Sequence, residues 1–315
     1  GEPLIVPEKT LEVAEYLRSK FKYVWIVTNG TLINRKIARK FRDLGVLAMV
    51  SLDGATEREH DFLRGRGAFK KTIRGIKILK EEDVYVVTNC IIHKHNLKNL
   101  DNYFELAKGL GIDEVRFIPL KLVGGALNAN LDKVYIDEIV DYAYDMFIKH
   151  PEYEELRGRD IFTALGVICR RCIKQKWCGA GKLLVSLNAD GNVYPCPSHW
   201  SSEFAAGNIR LQSFSDIWLN SPVLKKLREI YSIETLNEEC SRCIVKYWCA
   251  GGCRAEAYYN TFDLRSPSVE CEHIKRAILN MFWILADHPR FGKLKEIKRR
   301  DYQRGINSSL QAHMG

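Results

Sequence analysis

Cysteine content constrains this chain more than any other feature. Ten cysteines occur in 315 residues, and nine of them lie between Cys169 and Cys271. A secreted protein would use such thiols in disulfides, but the sequence shows no export signal. It also has no apolar run of about 18 residues, the length that a membrane-spanning helix needs. We therefore expect a cytoplasmic protein, without a membrane partner, whose clustered thiols bind metal.

Eight of the cysteines would suffice to form two metal sites with four thiolate ligands each. Cys240 and Cys243 are close enough for a short loop to wrap one metal centre, whereas Cys253 and Cys271 must close their sites from a distance. Tetrahedral thiolate sites suit zinc as well as iron–sulfur clusters, and the spacing alone leaves both open. The eight candidate ligands are Cys172, Cys178, Cys196, Cys240, Cys243, Cys249, Cys253 and Cys271.

The other two cysteines have less specific surroundings. Cys169 lies three residues before Cys172. We interpret it as a spare or packing thiol, with an alternative ligand as the second reading. Cys90 lies at the end of a predicted strand, where a buried apolar thiol is the simpler interpretation.

The first 120 residues alternate between helical patterns and short apolar runs. These runs are rich in β-branched residues and lack polar alternation, which is typical of strands buried on both faces. Four such αβ units in a row predict a parallel sheet with right-handed crossovers. Polar residues follow most of the runs, at the carboxyl ends where such sheets bind ligands. The predicted helices cover 8–20, 33–44, 69–82 and 97–110, and the strands cover 23–27, 47–50, 84–87 and 115–118.

The remaining chain is predicted to be a loop over 120–134, a helix over 134–149 and a cysteine-rich region. Within that region, Asp190-Gly191 is a tight-turn signal and predicts a hairpin of Leu183–Leu187 with Val193–Cys196. Helices are expected over 213–231 and 272–287. We therefore divide the chain into a domain over 1–150, a second domain over 151–288 and a basic tail over 289–315.

The formal net charge of +9 is partly local, because six basic residues lie in the last 25 positions. We interpret them as a solvated basic tail, with a nucleic-acid or acidic-peptide contact as the alternative. No aromatic-rich nucleic-acid motif supports that alternative, so a nucleic-acid partner is not expected. The six residues are Lys293, Lys295, Lys298, Arg299, Arg300 and Arg304.

The order of the cysteines and the sequence around them resemble the SPASM domain of radical-SAM enzymes. The matching stretches include Asp190–Cys196, Gly207-Asn208-Ile209 and Ile217-Trp218. This resemblance implies two auxiliary [4Fe–4S] clusters. The inner cluster would be held by Cys172, Cys178, Cys196 and Cys253. The outer cluster would be held by Cys240, Cys243, Cys249 and Cys271.

The first half resembles the barrel of the same enzymes. Gly1-Glu2-Pro3-Leu4 is similar to the end of their G-G-E-P motif, and Thr28-Asn29-Gly30 and Ser51-Leu52-Asp53-Gly54 are similar to later strand-end motifs. The family's first βα loop carries C-x3-C-x2-C, which binds the catalytic [4Fe–4S] cluster, and this sequence has no such motif. We therefore expect a partial (β/α)6 barrel that lacks its first βαβ segment, followed by the SPASM domain with its hairpin and helices.

The resemblance also implies a site for S-adenosyl-L-methionine (SAM). Glu2 would accept hydrogen bonds from the methionine ammonium, since a carboxylate and an ammonium form charge-assisted bonds. Ser51 and Asp53 would contact the ribose or carboxylate end. Asn89 or Arg116 would complete the pocket, and Arg64 belongs to a further matching motif that begins at His60. Without the resemblance, Glu2 would be a surface acid, Ser51 and Asp53 a cap or turn, and Arg64 a loop cation.

The resemblance implies a radical-SAM maturase that generates a 5′-deoxyadenosyl radical and modifies a ribosomally made peptide or protein. Its electron donor would be a flavodoxin or ferredoxin. The alternatives are an enzyme acting on a tetrapyrrole or haem precursor and a non-catalytic iron–sulfur or zinc module. Sulfatase maturases of this family place a catalytic Asp after the cysteine that corresponds to Cys196, where this chain has Pro197. Asp61 or His199 could replace that base, although we interpret His199 as a surface histidine.

Overall fold

The computed structural model describes residues 1–121, 126, 133–156 and 176–292. Cys169, Cys172, most of the predicted loop and nearly all of the predicted tail lie outside these ranges. The chain divides into two compact units. Of the described residues, the first unit contains 1–120, 141–156 and 292, and the second contains 121, 126, 133–140 and 176–291.

The first unit is built on a four-stranded parallel sheet in which the strand order follows the chain. Trp25 pairs with Leu47, Ser51 with Asn89, and Asn89 with Arg116, so the register aligns the strand ends. The predicted parallel α/β arrangement is confirmed. The strands are β1 (Trp25–Thr28), β2 (Leu47–Ser51), β3 (Val86–Ile92) and β4 (Glu114–Pro119), and the helices are α1 (Pro7–Lys20), α2 (Arg35–Leu44), α3 (Glu57–Arg64), α4 (Ala68–Glu81) and α5 (Leu100–Gly109). The next helix, α6 (Ile136–Lys149), includes residues of both units.

Several elements of this unit differ from the sequence-based prediction. Strand β1 begins at Trp25 instead of residue 23. Strand β3 begins at Val86 instead of residue 84, because the Val84 N–H closes the end of α4 on the Leu79 carbonyl at 3.0 Å. Helix α3 was not predicted, although a signal was present. Thr56 and Glu59 form a capping box, in which each side chain accepts from the backbone N–H of the other.

Helix α4 approaches the end of β1 so closely that one position must be glycine. A Cβ on Gly75 would overlap the carbonyl oxygen of Gly30, and the Thr72 hydroxyl donates to the Asn29 carbonyl at 2.8 Å. Gly30 itself has φ +75°, a conformation that favours glycine. The contact therefore fixes the Thr28-Asn29-Gly30 turn against α4.

We expect Gly75→Ala to destabilise the protein by about 1–3 kcal/mol, because the added methyl meets backbone that cannot rotate away. Gly109 of α5 is a matched control, since a Cβ there meets nothing within 4 Å. Gly109→Ala should be neutral or stabilising by about 0.5–1 kcal/mol. Urea denaturation followed by circular dichroism measures both, and equal midpoints for the two variants would contradict the close approach.

The second unit contains the predicted hairpin, extended by a third antiparallel strand. The predicted helix over 213–231 is two helices, because the Ser221 hydroxyl caps a new N-terminus and Pro222 follows it. Among the described helices of both units, none is long and apolar enough to cross a membrane. The elements are β5 (Ser186–Leu187), β6 (Asn192–Tyr194), β7 (Gly207–Asn208), α7 (Phe214–Asn220), α8 (Pro222–Ile230), α9 (Glu238–Arg242), α10 (Lys246–Cys249), α11 (Arg254–Thr261) and α12 (Cys271–Asp287).

Candidate cofactor and cluster sites

The Glu2 carboxylate is fixed at the carboxyl end of β1. One oxygen accepts from the Thr28 hydroxyl at 2.6 Å and from the Leu4 N–H at 3.1 Å. The other oxygen accepts from the Asn29 N–H at 2.7 Å. Glu2 is half-buried, and a carboxylate that accepts several hydrogen bonds retains lone pairs for a further donor. The sequence motif thus becomes a pre-organised acceptor beside the Thr28-Asn29-Gly30 turn.

Ser51 and Asn89 are directly paired at the ends of β2 and β3. Ser51 is 9% exposed, and the N–H that follows it, on Leu52, donates to the Asn89 carbonyl at 3.0 Å. Arg116 pairs with Asn89 in the next register position, lies 3.6 Å from Glu114 and packs over the Trp25 ring. The sheet therefore brings three of the predicted SAM contacts side by side.

Asp53 is placed differently from the predicted ligand contact, because its side chain is fully buried. One carboxylate oxygen forms an ion pair with Arg64, and the other accepts from the Ile91 N–H at 2.8 Å. The Asp53 N–H donates to His60 Nδ1 at 3.0 Å, and burial lowers the pKa of that imidazole. The motif residues His60 and Arg64 therefore hold the loop after β2 in one conformation.

The two residues considered as replacement bases are both engaged within the chain. Asp61 accepts from the N–H groups of Gly67 and Phe69 at 2.5 and 2.8 Å, and so caps α4. The interpretation of His199 as a surface residue is wrong, because it is 1% exposed. Its ring contacts Cys196 Sγ at 3.0 Å and the Tyr231 hydroxyl at 2.8 Å, and burial lowers its pKa to about 4.

Three described thiols of the predicted inner set lie close enough to interact electrostatically: Cys178, Cys196 and Cys253. Burial raises the pKa of Cys178 and of Cys196. Backbone N–H groups oppose that rise, from Ala180 at Cys178 and from Ser198 and His199 at Cys196. The fourth predicted ligand, Cys172, lies outside the described residues.

The four thiols of the predicted outer set line one cavity of about 320 Å³: Cys240, Cys243, Cys249 and Cys271. Burial raises the pKa of Cys249 to about 11, opposed by an N–H bond from Gly251. Burial likewise raises the pKa of Cys240, opposed by a hydrogen bond from the Asn237 side chain. In the described ranges no group of three or more His, Cys, Asp or Glu side chains has the spacing to hold a single metal ion.

A left-handed turn separates the ends of these two thiol groups. Ala250, Gly251 and Gly252 all have positive φ, between 49° and 82°. A Cβ on Gly251 would lie 2.7 Å from the Leu236 side chain, so that position has no room for a larger residue. The turn leads the chain away from Cys249, so that Cys253 interacts with Cys178 and Cys196. The predicted crossed assignment of Cys253 requires this grouping.

The donor set fits iron–sulfur clusters. Thiolates are the usual ligands of such clusters, and hydrogen bonds to the sulfurs tune their potentials. Here backbone N–H groups already point at Cys178, Cys196 and Cys249. All eight described cysteines are free of disulfides. One of them, Cys90, belongs to β3 of the first unit and is fully buried, as predicted for a packing thiol.

The first unit is a parallel α/β fold whose strand ends carry the candidate SAM contacts, and the second unit is rich in thiols. Together they define the class as a cofactor-dependent enzyme with an iron–sulfur domain. Residues 1–107 match the radical SAM superfamily, and residues 178–244 match SPASM, an iron–sulfur cluster-binding domain. The chain belongs to the radical-SAM enzymes that carry a SPASM domain, whose cofactors are SAM and [4Fe–4S] clusters.

Relatives and solved structures extend this match over most of the chain. An AdoMet-dependent heme synthase of Methanosarcina barkeri is 32% identical over 289 residues, covering 86% of this chain and 80% of that protein. A mycofactocin maturase MftC of Mycobacterium ulcerans is 27% identical over 277 residues, covering 86% and 73%. The structure of anSMEcpe with bound AdoMet and Cp18Cys peptide has a TM-score of 0.72 at 20% identity, covering 93% and 84%.

Proposed function

We propose that this enzyme modifies a ribosomally made peptide by radical chemistry, with two auxiliary [4Fe–4S] clusters in its second unit. When bound and reduced, the catalytic cluster and SAM supply a 5′-deoxyadenosyl radical that abstracts hydrogen from the substrate. The 315 residues contain no C-x3-C-x2-C motif, so they provide no ligand set for that catalytic cluster. A flavodoxin or ferredoxin would supply the electron, in the cytoplasm.

The strand ends of the first unit would bind and orient SAM. Glu2 would accept hydrogen bonds from the methionine ammonium, and its own bonds to Thr28 and Asn29 hold it in place beforehand. Ser51 and Asn89 would contact the ribose or carboxylate end from the neighbouring strands. Asp53 and Arg64 would support that contact by fixing the loop after β2.

The second unit would hold the auxiliary clusters. The inner ligands would be Cys172, Cys178, Cys196 and Cys253. The outer ligands would be Cys240, Cys243, Cys249 and Cys271. The buried N–H groups that point at three of these sulfurs would favour the reduced, more negative state of each cluster. This chain's contribution would therefore be to tune both potentials and to keep water away from the sulfurs.

One observation favours a peptide over a sulfatase as the substrate. The position after Cys196 is Pro197, which cannot act as a base, and both candidate replacements are engaged within the chain. Asp61 caps a helix, and His199 is buried against Cys196 and Tyr231. A mycofactocin maturase and a bacteriocin subtilosin biosynthesis protein are among the relatives of this chain, which also supports a peptide substrate.

A haem precursor is the second candidate, because the heme synthase relative is 32% identical over most of both chains. The test uses the reconstituted enzyme with its catalytic cluster, SAM and a reductant. One arm adds precursor peptides encoded beside the gene, and the other adds an iron porphyrin that carries propionates. A mass change in a peptide with stoichiometric 5′-deoxyadenosine supports the proposal. Loss of propionate carboxyl groups, with every peptide unchanged, would transfer the function to haem chemistry.

We expect Glu2→Ala to weaken SAM binding by about 1.5–3 kcal/mol, the worth of a hydrogen bond to a charged group. Ser51→Ala should cost less, about 0.5–1.5 kcal/mol for a neutral bond. Glu8 is an exposed acid in the first turn of α1, so Glu8→Ala is a charge-matched control and should leave affinity unchanged. Calorimetric titration with SAM measures all three, and parental affinity in the Glu2 variant would remove the strand-end site from the proposal.

A further inference from the structure

Arg254 is a buried cation with unused hydrogen-bond donors. It is the largest fully buried side chain among the described residues and is 1% exposed. Its Nη1 donates to the Ser266 carbonyl at 2.7 Å, but Nε and Nη2 are buried without a hydrogen-bond partner in the described part of the chain. Burying a cation costs several kcal/mol unless an anion compensates it. The structure therefore calls for negative charge near this guanidinium.

Arg254 lies near cysteines of both thiol groups. It directly follows Cys253, and its Nε lies 3.5 Å from where a Cβ on Gly251 would be, in the turn whose N–H bonds Cys249. Arg254 lies close enough to interact electrostatically with Cys178 and with Cys240. One of these cysteines belongs to each predicted ligand set, so the guanidinium acts on both.

Two other cations of this unit are committed differently, and neither is as buried as Arg254. Lys133 forms ion pairs with Glu256 and with Glu270, so two carboxylates compensate its charge. Lys121 interacts with Cys253 and Cys196, which both belong to the inner set. Among these three cations, Arg254 is distinguished by its action on members of both sets.

We propose that Arg254 is the shared counter-ion of the two cluster sites and raises the reduction potentials of both clusters. The reason is electrostatic: a cluster held by four thiolates is anionic, and reduction adds a further negative charge. A fixed cation in a low-dielectric interior stabilises the more negative state. The same charge also lowers the repulsion between two anionic centres within one small unit. This inference rests on the proposed cluster sites.

The test is an EPR-monitored redox titration of the full-length reconstituted protein, with iron content measured on each sample. Cys196→Ala and Cys243→Ala each remove one cluster and so assign the signals. Arg254→Gln should lower both midpoint potentials, and Arg254→Lys should restore much of the loss because it keeps the charge. Lys121→Gln should lower only the potential of the inner cluster. Lys225→Gln should lower neither, since that ammonium is exposed on α8 and screened by water.

Each outcome decides the proposal. If Arg254→Gln loses iron while Arg254→Lys keeps it, a positive charge is required for assembly, which supports the proposal. Iron loss in both variants would show that shape matters and not charge, and would overturn it. A shift of one potential alone, or of neither, with iron retained would also overturn it. A parent protein without two four-iron clusters would instead refute the proposed cluster sites themselves.

Discussion

Asp53→Ala is expected to lower the free energy of unfolding by about 3–5 kcal/mol, the cost of breaking a buried ion pair by removing one partner. Asp53 is fully buried, pairs with Arg64 and accepts the Ile91 N–H. Alanine would leave a guanidinium and a β3 N–H without their acceptor. Because the Arg64 side chain is 31% exposed and can reach water, we expect a value near the lower end of that range.

A surface pair of the same residue types provides the control. Asp43 and Arg42 form an ion pair at 2.9 Å, with side chains 55% and 44% exposed. Exposed pairs contribute about 0–1 kcal/mol, so Asp43→Ala should change stability little. Urea denaturation of both variants measures the difference, and Arg64→Ala with the double variant gives the coupling energy. Similar stabilities of the Asp53 and Asp43 variants would mean that the buried pair does not hold the loop after β2.

In the enzyme that also contains the catalytic cluster, Cys243→Ala is expected to abolish substrate modification while part of the SAM cleavage remains. Cys243 lines the outer cavity of the second unit, whereas Glu2, Ser51 and Asn89 are at strand ends of the first unit. The two auxiliary sites together should bind about eight irons per chain, since each cluster contains four. Loss of one thiolate ligand should reduce that number to about four.

Cys90→Ala is the matched control, because this thiol is fully buried and belongs to neither group. It should keep all of the roughly eight irons of the auxiliary sites and full modification of the substrate. Iron analysis, 5′-deoxyadenosine formation and product mass are measured on the same anaerobic samples. Zinc as the dominant metal in the parent would refute the cluster assignment. Normal product yield from the Cys243 variant would show that the outer site has no part in substrate modification.

The 315-residue chain by itself should release no 5′-deoxyadenosine.

The sequence alone determined the parallel sheet and the hairpin. Apolar runs without alternation, separated by helical patterns, predicted a parallel sheet because burial on both faces leaves that pattern. Asp190-Gly191 predicted the hairpin because a tight turn needs those residues. The capping box at Thr56 and Glu59 would also have revealed helix α3. These features depend on neighbours a few positions apart, which a sequence displays directly.

Only the tertiary structure decided what the charged and polar side chains contact. Asp53 accepts from Ile91, 38 positions away, and His199 meets Tyr231, 32 positions away. The burial of Arg254 depends on how the loop at Ser266 folds over it. Hydrophobic periodicity reports which face of an element is buried, but the partner of a buried charge is chosen by packing between distant segments. For that reason the candidate ligands were recognisable in the sequence, whereas the ion pairs and counter-ions that support them were not.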